Sequence, residues 1–205
     1  MTDRSVIERY YQWHSRIYDA TRWSFLFGRS TLIQQVTALG VPAHILEIGC
    51  GTGRNLQALC RRFPQARLVG LDLSEDMLNR ARRRLTDHAR QVELIHGAYE
   101  HPLGTRPAFD LVVFSYTLSM MLRDWENAIH YAYWDLQPGG LIAVVDFHDA
   151  PLNGFKHWMA LNHVRLDCHL LPKLRGSFQP RHQEIRHAYG GLWRYFLFIG
   201  ATRNR

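Results

Sequence analysis

From His44 onward, short β-branched and aliphatic runs alternate with longer stretches of helical periodicity, the pattern of a parallel sheet covered by helices. The runs HILEI (44–48), RLVGLD (67–72), VELIH (92–96), DLVVFS (110–115) and GLIAVVDF (140–147) predict strands, and the segments between them predict helices near 54–63, 75–88 and 124–135. Ser74 is placed to cap the second of these helices, because its hydroxyl accepts from the free N–H groups of the first turn, where Glu75 and Asp76 also suit the helix dipole. Pro138-Gly139-Gly140 predicts a turn into the fifth strand. At the chain's end, Gly190-Gly191 separates HQEIRHAY from LWRYFLFIG, which reads as a hairpin of two last strands and adds an antiparallel edge to the sheet. Two helices, near 4–17 and 29–39, are expected ahead of the first strand, around the stretch YDATRWSFLFGR at 18–29. The expectation is an α/β domain with a mostly parallel seven-stranded sheet, helices on both faces and a helical lid segment over 1–40 ahead of the main unit at 41–205.

Composition narrows the partners. A chain of 205 residues, 46% hydrophobic and 21% charged, suffices for one good core. Its longest mostly apolar run, Leu111 to Leu122, has 12 residues broken by Ser115, Tyr116, Thr117 and Ser119, short of the roughly 20 that span a bilayer. The start, MTDRSVIERYYQWH, mixes charges of both signs and lacks the apolar region of a secretory signal, so a cytoplasmic location is expected. Cys50, Cys60 and Cys168 form no CxxC pair and read as small packing residues. The net charge of +7 points to a partner carrying negative charge, whether a membrane surface, a nucleic acid or an acidic small molecule. His163 and Asp167 stand four apart, half of a metal site at most, and no metal is expected.

HILEIGCGTGRNL (44–56) follows a predicted strand and opens a predicted helix, with glycines at 49, 51 and 53 where a backbone must turn sharply and approach a ligand closely. A dinucleotide fingerprint would need a further glycine at 54, where Arg54 stands. The spacing ExGxGxG, with Glu47 in front, resembles the first motif of class I S-adenosylmethionine-dependent methyltransferases. Further matches follow in that family's order: Asp72 at the end of the second strand, Gly97-Ala98-Tyr99 after the third, FDLVVFSYTLS at 109–119 and LQPGGLIAVVDF at 136–147. The resemblance covers about residues 40 to 150 and implies a Rossmann-like fold that binds S-adenosylmethionine through Glu47, Gly49, Cys50, Gly51, Gly53, Asp72, Leu73, Met77, Gly97, Ala98 and Ser115. Asp72 has the position from which a carboxylate accepts from both ribose hydroxyls.

The acceptor is approached by elimination and by a second resemblance. Adenine N6 methylation goes with a (D/N)PP(Y/F) motif after the fourth strand, where this chain reads SYTL, and pyrimidine C5 methylation needs a cysteine before proline, which none of the three cysteines provides. No nucleic-acid partner is therefore expected. IYDATRWSFLFGR, NHVRLDCHLLP (162–172) and PRHQEIRHAYGGLWRYFLFIG together resemble bacterial betaine-lipid N-methyltransferases, which convert diacylglycerylhomoserine to diacylglyceryl-trimethylhomoserine in three steps. That resemblance implies an enzyme resting on the inner membrane face, contact of Trp23, Phe25, Leu26 and Phe27 with acyl chains or the bilayer interface, anionic lipid as a neighbour, and a functional partner that makes diacylglycerylhomoserine. Phosphatidylethanolamine or other small-molecule N-methylation is the runner-up, and a nucleic-acid methyltransferase, suggested by the +7 charge and the arginine run, ranks below it. Each transfer requires an unprotonated amine whose reference pKa is about 8, so a proton acceptor is expected, with Tyr18, His148 and Asp149 as candidates. Arg22 and Arg165 are candidates for the homoserine carboxylate, which a guanidinium fork matches, and Tyr18 and Tyr116 for other substrate contacts. Arg80, Arg82, Arg83, Arg84 and Arg90 read as a solvated basic face available to anionic lipid.

Overall fold

The computed structural model describes residues 26–161 and 164–203. Seven strands form one sheet in the order β3-β2-β1-β4-β5-β7-β6, with β1 His44–Ile48, β2 Arg67–Asp72, β3 Val92–His96, β4 Phe109–Ser115, β5 Leu136–Asp149, β6 Gln179–Ala188 and β7 Trp193–Ala201. Strands β1 to β5 pair in parallel, while β7 runs antiparallel to both β5 and β6. Among the described residues six α-helices accompany them: α1 Arg29–Leu39, α2 Arg54–Arg62, α3 Glu75–Arg84, α4 Trp125–Asp135, α5 Asn153–Leu161 and α6 Leu170–Ser177.

The central strands are apolar at nearly every position because both faces are covered. In β1, Ile45 joins a cluster with Leu32 and Val36 of α1 and Leu56 and Leu59 of α2, whereas Leu46 and Ile48 join one with Ala128 and Ile129 of α4 and Leu171 and Leu174 of α6. Strand periodicity sends neighbouring side chains to opposite faces, so two helical layers demand a continuous apolar run. Since Leu32 and Val36 are core residues, the helix expected near 29–39 is packed into the main unit from its first turn onward, while the one expected near 4–17 lies outside the described residues.

Two boundaries differ from the sequence reading. The helix expected over 75–88 ends at Arg84 and gives way to a 3-10 turn, Thr86–His88. Thr86 Oγ1 donates to the Arg83 carbonyl at 2.9 Å, a local bond that competes with continuation of the helix. Ser74 caps the start as expected, its hydroxyl accepting from Met77 N–H at 3.4 Å. Pro138-Gly139-Gly140 is not a turn ahead of β5 but an irregularity inside it: the strand begins at Leu136, the register with β4 shifts between Phe109 and Leu111, and Gly139 takes φ +78°. Phe109 pairs with Leu136 across this bulge, which keeps the chain extended on both sides of it. The Gly190-Gly191 hairpin forms where expected, closed by a short turn over Tyr189–Gly191. Cys50 and Cys60 are packed inside, but Cys168 is half-buried with φ +61°.

Candidate active site

The strand order reverses between β1 and β4, and open α/β sheets bind ligands beyond the C-terminal ends of strands at such a point. There the chain leaves β1 at Ile48 and passes through Gly49–Gly53 into α2. Gly49 has φ +70°, and a Cβ on it would lie 2.6 Å from Thr117 Cγ2, so only glycine lets the loop pass this close to the end of β4. Gly51 has φ +54° and a different surrounding: a Cβ there would meet no atom within 4 Å. The loop folds round space that a ligand can fill.

The side chains of Asp72, Thr117 and Arg84 hold this loop. Asp72 Oδ2 accepts from Gly51 N–H at 2.7 Å while Oδ1 accepts from Ser74 N–H at 2.9 Å, which fixes the carboxylate at the end of β2. Thr117 Oγ1 donates to the Ile48 carbonyl at 3.1 Å. Arg84 Nη1 donates to Thr52 Oγ1 at 2.6 Å and to the Thr52 carbonyl. Arg84 is therefore a brace behind the loop, and Arg82 pairs with Glu75 at 2.6 Å, so the basic run is only partly the solvated face expected of it.

Beside the loop opens a cleft of about 780 Å³. Asp72, Leu73, Met77, Gly97 and Ala98, all residues that the methyltransferase resemblance implies for the cofactor, are among those that line it. Tyr116, which has φ +56° and is wholly buried, also lines it, but its hydroxyl donates to the Phe27 carbonyl at 2.9 Å. Met120, Met121 and Leu122 add an apolar wall, with Asp124 next to it. The Met120 to Asp124 wall, Asn127 and Tyr131 were missed by sequence reasoning. The signal available was the end of the strand motif FDLVVFS, after which the chain must cross the sheet's C-terminal edge.

A second, smaller cavity of about 40 Å³ adjoins the loop and is lined by Leu26, Arg29, Glu47, Cys50 and Asn55 among others. Glu47 is buried; Oε1 accepts from Asn55 Nδ2 at 2.8 Å, and Oε2 has no hydrogen-bond partner among the described residues. Desolvation pushes its pKa up to about 8, against the opposing pull of the Asn55 hydrogen bond and the Arg29 charge. Arg29 Nε donates to Ser115 Oγ at 3.0 Å, which ties α1 to the end of β4. A guanidinium and an orphaned buried carboxyl oxygen beside a glycine loop fit the two charged ends of an α-amino acid, so Arg29, Glu47, Asp72 and the loop suit S-adenosylmethionine. Arg29 was not among the expected site residues, because its role depends on a helix start reaching over the sheet.

Glu47 also gives the fold a pH dependence. With its native pKa raised from 4.5 to about 8, Glu47 keeps in the folded protein a proton that the unfolded chain releases. The native state then binds more protons between these values, and stability falls as pH rises through that window. Glu47→Gln is expected to flatten this dependence, read as the urea midpoint at pH 5 and at pH 8 for both proteins.

The other expected residues divide sharply. Tyr18, Arg22, Trp23, Phe25 and His163 lie outside the described residues. Ser115 does not line the cleft, its hydroxyl being taken up by Arg29. His148 and Asp149 reach the end of β5 but do not line the cleft either. Asp149 is engaged by Arg194 across β7, which holds its carboxyl below the usual range, and burial pulls the His148 pKa down. Arg165 is exposed and pairs with Asp167 at 2.6 Å, away from the cleft lining. Among the described residues there is no group of three or more His, Cys, Asp or Glu that could hold a metal ion, and no helix long and apolar enough to cross a membrane.

The sheet order, the glycine loop and the acidic end of β2 define a class I methyltransferase domain, the class that takes S-adenosylmethionine as methyl donor. Residues 45–140 match the family described as methyltransferase domain. The chain is 32% identical to the biotin biosynthesis bifunctional protein BioCD of Bordetella avium, an alignment covering 100% of this chain and 45% of that protein. It is 30% identical to the malonyl-acyl-carrier-protein O-methyltransferase of Priestia megaterium over 72% of this chain and 53% of that one. The chain thus spans about half the length of these curated relatives. Among solved structures, the 1,6-didemethyltoxoflavin-N1-methyltransferase of Burkholderia thailandensis superposes with a TM-score of 0.75 at 15% identity, covering 100% of this chain and 92% of that one. The N-methyltransferase NodS of Bradyrhizobium japonicum, in complex with S-adenosylhomocysteine, does so with 0.71 at 18% identity, covering 85% of each.

Proposed function

We propose that this chain methylates the amino group of diacylglycerylhomoserine with S-adenosylmethionine, three times in succession, producing diacylglyceryl-trimethylhomoserine at the inner face of a membrane. The observation that supports this reading is where the front segment arrives. The stretch YDATRWSFLFGR, which carries much of the resemblance to betaine-lipid enzymes, ends with Phe27 bonded to Tyr116 at the cleft and with Leu26 and Arg29 against the glycine loop. Leu26, Phe27 and Arg29 thus bring the end of that stretch to the cleft and the glycine loop.

Arg29, Glu47, Asp72 and the glycine loop would hold S-adenosylmethionine, which when bound would supply an electrophilic methyl group for a nitrogen lone pair, its sulfur being the leaving group. The protein's part is alignment, because holding donor and acceptor in line supplies most of the rate in such a displacement. Asp72 and the loop hold one partner, and the Met120–Leu122 wall suits an acceptor with a hydrocarbon body. A proton must leave the amine before each attack. Because His148 and Asp149 stand outside the cleft, the lining carboxylates Glu100 and Asp124 take their place as candidates.

A second reading, methylation of a carboxylate oxygen, is favoured by the relative that carries malonyl-acyl-carrier-protein O-methyltransferase activity in its name. Labelled S-adenosylmethionine supplied with diacylglycerylhomoserine, phosphatidylethanolamine or malonyl-acyl-carrier protein separates the two. Label is expected in the diacylglycerylhomoserine fraction; label confined to the acyl-carrier protein would establish the second reading instead.

A further inference from the structure

We infer that the rim of the cleft, with α5 and the tip of the β6–β7 hairpin as its main contact elements, is the face on which this protein docks to an anionic bilayer. The starting observation is the uneven distribution of exposed apolar surface. Of the eleven large apolar side chains exposed among the described residues, seven sit on elements at the C-terminal end of the parallel strands. Leu73 follows β2 and Leu122 follows β4, both at the cleft itself. Leu152 and Trp158, 57% and 50% exposed, follow β5. Tyr189 and Leu192 form the hairpin tip, which lies at this same end because β7 runs antiparallel and its first residues pair with the last of β5. Phe27 joins them through an edge contact with Tyr189, ring centres 5.3 Å apart.

Scattered apolar side chains on a surface are ordinary, but a concentration round one opening marks an interaction site. The residue types select a bilayer interface. Trp158 and Tyr189 carry large rings with one polar atom each, the combination that rests at the level of lipid head groups, and leucines beside them reach deeper. Arg123, Lys156 and His157 accompany these side chains in sequence, and the whole chain carries +7, so the complementary surface is an anionic one. The choice of occupant rests on the lipid-acceptor reading: an amine tethered to two acyl chains reaches the cleft only if the cleft mouth meets the membrane.

The test is flotation of the full-length protein with vesicles of phosphatidylcholine alone or with phosphatidylglycerol added, none containing an acceptor. The double variant Leu152→Ser, Trp158→Ser lies outside the cleft lining and the glycine loop. It should float with phosphatidylglycerol vesicles about tenfold less than wild type, since burial of one leucine and part of an indole is lost. It should also methylate a water-soluble, short-chain diacylglycerylhomoserine at the wild-type rate and the vesicle-embedded lipid more slowly. Equal flotation of variant and wild type, or no flotation of wild type on anionic vesicles, overturns the docking face even where the short-chain lipid is methylated. A wild-type dimer in sedimentation that the variant abolishes overturns it as well, by assigning the rim to a second copy of the chain. If flotation is lost in the variant while no amine lipid is methylated in any form, the docking face stands and the acceptor reading fails.

Discussion

Asp72→Ala is expected to weaken S-adenosylmethionine binding by about 100-fold or more, because the side chain is asked to do two things at once. It holds the loop through Gly51 N–H at 2.7 Å, and it lines the cleft at the position from which a carboxylate receives ribose hydroxyls. Charge-assisted hydrogen bonds contribute about 1.5–3 kcal/mol each, and tenfold in affinity corresponds to about 1.4 kcal/mol, so losing two of them gives this range. The melting temperature should change far less, since Asp72 is half-buried at a strand end and the sheet around it stays paired. Asp72→Asn, which keeps the shape but not the charge, should fall between. Calorimetric titration with S-adenosylhomocysteine checks this; near wild-type affinity in the alanine variant would remove Asp72 from the cofactor site.

The second large effect separates two glycines of the same loop. Gly51→Val should abolish measurable cofactor binding and leave a folded protein, because its side chain would occupy space that holds no protein atom within 4 Å. The folded state loses only the strain of a β-branched residue at positive φ, about 1–2 kcal/mol. Gly49→Val should fail differently: its side chain would strike Thr117, whose hydroxyl holds the end of β1, so soluble yield and thermal stability both fall. Far-ultraviolet circular dichroism melts beside the calorimetry resolve the pair. Equal loss of stability in both variants would mean that the space beside Gly51 is not a ligand cradle.

These contrasts mark how far the sequence carries. Strands β1 to β4 fall within one residue of their predicted bounds because continuous apolar runs have one solution in a sheet covered on both faces. The glycine loop and Asp72 were legible because their spacing follows from what the loop must do. The end of α3 was not, since it depends on a hydroxyl choosing the Arg83 carbonyl. Asp149 was a candidate for its place at the end of the fifth strand and Arg165 for its charge, and neither position nor charge in sequence reveals partners such as Arg194 and Asp167. Arg29 was missed and Arg84 read as part of a solvated face for the converse reason, each being a cation whose function appears only when two elements distant in sequence meet at the loop.

Successive methylation of one lipid amine is tested most directly by the mass of the lipid product. Purified protein, S-adenosylmethionine and vesicles containing diacylglycerylhomoserine should yield lipids heavier by one, two and then three methyl groups, with the trimethylated species accumulating. Formation of S-adenosylhomocysteine should match the methyl groups added. A diacylglycerylhomoserine of unchanged mass, in the presence of protein shown by calorimetry to bind the cofactor, would contradict the claim.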